Sequence, residues 1–484
     1  MGKAKIMSSG GVSYLKNLKD AQVINAISVD TDTIERGEYI ENVAPDITSN
    51  EKVQTLMDIS SSSSYAGYQS TCFIDDTRAI TMIIRYVGSS SYAVEVGVLT
   101  LTESADGFSA SLDGVVSIRT LSSCYINPGN VRLKNGNVVF MFGDYNYQHL
   151  VTVNINSDNS IEIVEAAIHV YGNPIMHVTH GNAYSLNLVD ETTVLVTVAG
   201  NPSTTGSDSI YACLLDIQNR RYKSNWVACQ GLNNIPWHVP VYQISQDTFM
   251  LALFEVSGIS LQPKYSTIHI NHNNNTLDVN SYYDAIISVE SNTSLIVLDP
   301  VITVKDGIVY AAYSYTVIYN GKRFYGGIEQ MLKLDSDNKI IEMGKYPVAP
   351  SPMPGSYNVD GNPIDRYRDI KVGNCIYRTG LSFRDGTSYV YPAIGAYTLN
   401  KGLISFTNML TIGKSRPQRN ASALSVDVNS LNDGNTIIIV YSDSQDIHIT
   451  SIQVVSKITR SRMLVGGVAK SDITNGESGQ VLIL

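Results

Sequence analysis

Between residues 65 and 458 one hydrophobic pattern returns seven times: a short apolar strand, a polar turn, then a second strand that is apolar almost without interruption. It is most legible in residues 130–163, N-V-R-L-K-N-G-N-V-V-F-M-F-G-D-Y-N-Y-Q-H-L-V-T-V-N-I-N-S-D-N-S-I-E-I. Residues 131–134, 138–142, 150–155 and 161–164 read as four strands. Asn135-Gly136 reads as a two-residue hairpin turn, because both residue types tolerate positive φ. A strand as apolar as 138–142 is expected where both faces of a sheet are covered.

The first two strands of the unit recur at 72–86, 131–142, 184–198, 241–254, 301–313, 369–381 and 422–441, and a third strand follows each. The spacing is about 60 residues, longer than the common propeller repeats. Evenly spaced four-stranded units without helical periodicity predict an all-β chain, a β-propeller of about seven four-stranded blades, six or eight being the alternatives. The propeller should span 61–458. Residues 1–60 are polar and Ser-rich and read as an extended N-terminal attachment arm. Leu15, Leu18, Val23 and Ile27 would give that arm one short helix. Residues 459–484 form a short C-terminal β element.

Connection lengths say which end of the propeller works. The turns between first and second strands, and between third and fourth, are short. The second-to-third connections 200–208, 255–265 and 314–326 are long, as are the connections between blades. These two sets emerge at one end of a propeller, and long loops on a rigid scaffold are where binding residues concentrate. Pro128, Pro174, Pro240, Pro300, Pro363 and Pro417 should each precede an inner strand, since proline cannot donate to a ladder. On this reading the candidate ligand-binding residues are Tyr145, Tyr147, His177, Trp237, His238, Tyr319, Arg366, Arg368 and Tyr389. Tyrosines among Asn, Asp and Ser suit sugar rings, which stack on one face and hydrogen-bond at the rim. Trp226 reads better as packing beneath a loop.

Composition narrows the chemistry. Only 16% of residues are charged and net charge is -10, with no basic stripe along the chain, so nucleic acid is not an expected partner. Thirty Tyr against nine Phe make a polar-aromatic surface. The five Cys are far apart, without a C-x-x-C, and Cys72, Cys213 and Cys375, in apolar runs, read as core thiols. His177-x-x-His180 lacks a third ligand, and Asp360-Gly361-Asn362 with Asp365 reads as a turn before a Ca²⁺ site, so neither metal nor other cofactor is expected. Asp299, Asp360, Asp365 and Asp369 are carboxylates near the axial funnel, and sugar hydrolysis needs two across the scissile bond. Ser382–387 (S-F-R-D-G-T) only approaches the box repeated in sialidase propellers, so no catalytic residue is assigned. No run is apolar enough to span a membrane.

The two ends carry a resemblance. Met463 to Leu484 reads M-L-V-G-G-V-A-K-S-D-I-T-N-G-E-S-G-Q-V-L-I-L, which is similar to the G-[IV]-A-K, turn and G-E-x-x-x-V ending of many bacteriophage tail-fibre and baseplate proteins. The opening M-G-K-A-K-I-M-S-S-G-G-V resembles the start of tail-fibre proteins from phages and phage-like particles of Firmicutes hosts. The resemblance implies a virion tail receptor-binding protein, present in several copies or as a homo-oligomer, contacting other tail or baseplate proteins and a host surface polysaccharide or other receptor. It implies assembly in bacterial cytoplasm and release by lysis. A propeller depolymerase with funnel carboxylates, and a purely structural baseplate part, are the competing expectations.

Overall fold

The apolar second strands do lie between two covered faces, and this builds the whole architecture. In Val138–Gly143, Val138, Phe140 and Phe142 enter one buried cluster while Val139 and Met141 enter another. Thr436–Ser442 divides in the same way: Ile437, Ile439 and Tyr441 face one neighbour, Ile438 and Val440 the other. The period of two along a strand thus serves two seams at once. Each large apolar side chain so buried contributes about 1.5–3 kcal/mol.

The computed structural model describes residues 22–49, 53–59, 68–89, 91–104, 107–122, 124, 128–143, 147–170, 177–178, 184–201, 209–231, 241–257, 260–283, 287–288, 293–297, 301–305, 307–319, 322–348, 368–372, 375–383, 389–400, 403–406, 410–411, 416–417, 425–431, 435–442, 446–461 and 467–483. Among them there is no helix, and the strands fall into seven sheets, antiparallel throughout except where Gln22–Ser28 meets Asp446–Arg460. The chain is a seven-bladed β-propeller. Blade 1 is Tyr68–Phe73, Arg78–Gly88, Ser91–Ser104 and Gly107–Leu121. Blade 2 is Gly129–Arg132, Val138–Gly143, Gln148–Ile155 and Ile161–His169. Blades 3 to 6 occupy 177–231, 241–288, 293–348 and 368–417. Blade 7 starts with Ser425–Ser430, Thr436–Ser442 and Asp446–Arg460.

The first strands of blades 1, 2, 3, 6 and 7 neighbour one another in sequence around the axis, and outer strands neighbour outer strands. Buried clusters seal the seams between blades 1–2, 2–3, 3–4, 4–5, 6–7 and 7–1. At the 5–6 seam the outer strands Ile340–Val348 and Leu403–Phe406 meet.

The fourth strand of blade 7 comes from the other end of the chain. Gln54–Asp58 pairs with 446–449, and Tyr39–Ser49 continues along 452–460. The N-terminal segment is therefore not free-standing from residue 22 onward: it closes the ring. Val23 and Ile27, expected on a helix, lie in the strand Gln22–Ser28. Leu15 and Leu18 lie outside the described residues. Strand partners supplied by residues 436–483 decide the matter, which local helical spacing does not register.

Segments from both halves of the chain, 22–49 and 446–483, also build a small second unit. Gln22–Ser28 pairs with Ser478–Ile483, which pairs with Gly467–Ala469, which pairs with Tyr39–Ser49; that strand pairs with the end of Asp446–Arg460, and Gln22–Ser28 returns in parallel to the same strand. The five strands close on themselves around Ala26, Ile34, Ile40, Ile458, Ala469, Ile473 and Val481. Closure leaves no edge inside the ring of pairings. The two plugging loops share Ile-x-x-Gly-Glu, at 34–38 and 473–477. They bond reciprocally, Ile34 N to Ile473 O at 2.9 Å and Ile473 N to Ile34 O at 2.8 Å. Gly479 lies against the Ile473 side chain with no room for a Cβ. The G-V-A-K…G-E-S-G pattern is thus a packing code for this barrel.

Two turn and strand expectations change. Leu133 N bonds Asn137 O at 2.8 Å and Gly136 N bonds Leu133 O at 3.0 Å, so the connection is a three-residue loop and only Gly136, at φ 92°, is left-handed. Pro417 does not lead into an inner strand; it sits in the outer piece Arg416–Pro417 of blade 6, opposite Tyr389, where a missing donor costs nothing.

Candidate functional site at the long-loop end

The long connections of blades 4 and 5 are not loops. Thr248–Ser257 and Ser260–Asn271 stay paired out to Ser257 opposite Ser260, and Ile308–Tyr319 with Lys322–Leu334 out to Tyr319 opposite Lys322. They are raised β-ribbons. Additional strand pieces support them: Thr293–Val297 runs along the upper part of Ile308–Tyr319, and Ile287–Ser288 along Ser260 and Leu261. Blade 2 has a second strand of six residues and blade 5 one of twelve. At about 3.3 Å per residue the difference is roughly 20 Å of rise.

The candidates with described positions share this end of their sheets. Tyr147 immediately precedes the third strand of blade 2. His177 pairs with Asn201 at the far end of a second strand. Tyr319 closes the blade 5 ribbon. Arg368 begins the inner strand of blade 6 opposite Thr379, and Tyr389 begins its third strand. Tyr145, Trp237, His238 and Arg366 lie outside the described residues, as do Asp299, Asp360 and Asp365. Asp369 is placed on the inner strand of blade 6, at the register position of Arg378.

Tyr147 is half exposed, at 50%, above a packed support. Beneath it His149 stacks on Phe142 with centroids 5.4 Å apart, and Gln148, His149 and Tyr184 are buried. Blade 7 repeats the pairing: Tyr441 lies 5.0 Å from His448, which contacts the Thr55 hydroxyl at 3.2 Å. Trp226 packs edge-on to Tyr222 at 5.2 Å in the seam between blades 2 and 3, a supporting role.

Around the axis, polar side chains tie blades together. Asn130 Nδ2 donates to Ser70 Oγ at 2.6 Å, and Thr71 N donates to Asp427 Oδ2 at 2.8 Å. Blades 2, 1 and 7 are joined by these bonds, so Asn130 works as a crosslink. Burial, with a smaller push from Asp427, raises the Cys72 thiol to about 12, and burial takes Cys229 and Cys375 to about 12 as well. Thiols held in that form are poor nucleophiles.

Two features escaped the sequence reading. Glu329, on the third strand of blade 5, is fully buried and neither carboxylate oxygen has a hydrogen-bond partner. Burial raises its pKa to about 7. The only sequence signal is a Glu inside the apolar run 328–332. The second feature is charge placement. Residues 368–417 hold seven Lys or Arg against two Asp, a surplus of five in a chain of net charge -10. Basic residues look scattered along the chain as a whole, but the one stretch that forms blade 6 carries this surplus, with Arg378 buried inside it.

No known protein family matches the chain, and no curated protein matches its sequence. Among solved structures, the Saccharomyces cerevisiae core factor is 10% identical, with 86% of this chain spanning 62% of that one at a TM-score of 0.40. A protein from Lactobacillus plantarum is 9% identical over 72% of this chain and 97% of its own, at 0.36. A GH32 β-fructofuranosidase of Bombyx mori is 10% identical over 81% and 90%, at 0.27. Likeness this remote assigns the chain no activity.

Proposed function

We propose that this chain is a bacteriophage or phage-like tail protein that attaches a particle to a host surface glycan. The observation that carries the reading is the division of labour between its ends. Strands within 22–49 and 467–483 form one barrel, whose motif resembles tail proteins, and the strand Asp446–Arg460 runs unbroken from blade 7 into that barrel. An anchor there holds the propeller rigidly. The raised end of the blades then carries tyrosines on a firm scaffold, and several copies on one particle multiply weak contacts.

Adhesion of the full chain to intact bacterial cells and to purified wall glycans, with analysis of soluble products, tests this. Saturable adhesion without released oligosaccharide is the expected result. Released oligosaccharide replaces attachment by depolymerisation; adhesion to no cell or glycan leaves a structural baseplate part.

A further inference from the structure

We infer that the long-loop end of blades 5 and 6 is a cationic site for an anionic glycan polymer, one whose repeat carries phosphate or carboxylate groups. The inference rests on the attachment reading and names the partner's chemistry. Three placements carry it. The blade 5 ribbon ends with Tyr319 opposite Lys322, followed by Arg323 opposite Ile318, and residues 307–328 contain no acidic residue. In blade 6, Arg368 opens the inner strand and Arg416 lies opposite Val390 in the outer piece. Both positions are at the same end as the ribbon tip. Tyr319 and Tyr389 stand beside these cations in the register.

Blade 6 is the one blade whose stretch of sequence carries a basic surplus; blade 5 is balanced over 293–348, six against six, with Lys322 and Arg323 in its ribbon. Blade 1 holds three basic residues against six acidic ones over 68–121, and blade 4 one against four over 241–288. Fixed positive charge on one sector of an acidic molecule draws a flexible polyanion to that sector and keeps it off the rest. A nucleic acid duplex is a long rigid rod of phosphates and would lie across the acidic blades, so the observations favour a flexible glycan polymer.

The test uses the full chain, with polyglycerol phosphate, polygalacturonate, neutral dextran and a DNA duplex of about 30 base pairs as probes. The expected result is binding to one or both glycan-type polyanions, at least tenfold weaker binding of the DNA duplex, and none of dextran. Affinity should fall at least tenfold from 50 to 200 mM salt, a reading independent of any variant. Lys322→Glu with Arg323→Glu should lose at least tenfold. Lys134→Glu with Lys339→Glu, the same charge change at the tight-turn end, should lose less than twofold. Equal binding of dextran, tighter binding of the DNA duplex, salt-insensitive binding or equal loss in both variants overturns the inference. Cells bound equally by the tip variant and the unaltered chain sink the inference and leave attachment standing. Polyanion binding at the tip without cell adhesion does the reverse.

Discussion

Blades 1 and 5 share a plan and differ in what fills it. Both carry a long hairpin between second and third strands, and both bury a glutamate on the third strand. In blade 1 the second strand packs Ile80, Met82, Ile83 and Ile84 into two seams; in blade 5 the corresponding stretch offers Val309, Ala311 and Ala312. Glu95 receives two bonds from Arg85, at 2.7 and 2.8 Å, which also raise the arginine's pKa. Glu329 receives none. The first-to-second turn of blade 1 is built by Asp75, which accepts from Thr77 and Arg78, whereas that of blade 5 uses Gly307 at φ 74°. Blade 1 meets its costs with its own side chains. Blade 5 relies on its neighbours and on backbone freedom, which fits a sector shaped for something besides stability.

Core truncation should separate the two most strongly. Ile83→Ala, at the seam where the ring closes, should cost about 3–4 kcal/mol, and Val309→Ala about 2 kcal/mol. Urea unfolding at constant slope measures both. Equal costs would show that the seams of blades 1 and 5 are packed alike.

The glutamates should respond with opposite sign. Glu329 has its folded pKa raised from 4.5 to about 7, so the native state holds a proton that the unfolded chain releases. Its contribution is complete below pH 4.5 and is lost as pH rises through 7. Glu329→Gln should therefore stabilise the protein at pH 8 by up to roughly 3 kcal/mol, leave it unchanged at pH 4, and flatten the profile between. Glu95→Gln breaks a charge-assisted pair and should cost about 1–2 kcal/mol at pH 8. Melting curves from pH 4 to 8 read both, and a flat profile for the unaltered chain would contradict the Glu329 assignment.

The smallest contrast lies in the turns. Gly307→Ala forces a side chain into the left-handed region and should cost about 1 kcal/mol, independent of pH. Asp75→Ala should be pH-dependent. Burial alone would raise the Asp75 pKa, but hydrogen bonds from Arg78 and Thr77 hold it below the ordinary carboxylate value. Its contribution is present at neutral pH and lost in acid, so the variant should match the parent only at low pH.

Much of this was legible beforehand for a simple reason. A strand buried on both faces must be apolar at every position, and seven such runs with polar turns leave few architectures. The same logic found the shared end of His177, Tyr319, Arg368 and Tyr389, because connection lengths follow from strand positions alone. It failed where pairing is long-range. Ser257 opposite Ser260 and Tyr319 opposite Lys322 turn apparent loops into ribbons, and polar sequence hides the difference. Glu329 was missed because one carboxylate in a strand reads as a solvent-facing position unless the neighbouring blade is known.

Local pattern alone placed the apolar second strands, a count of about seven four-stranded blades and the tight-turn end of each, since hydrophobic period and turn chemistry act over a few residues. The closed ring settled two things that no local pattern carries. It joined Gln54–Asp58 to residues 446–449, so that the chain's first blade strand closes its last blade. It brought Ile34 to Ile473 across more than 400 residues, making one barrel of two ends. Each is a contact between segments far apart in the chain, fixed by what the closed ring makes adjacent.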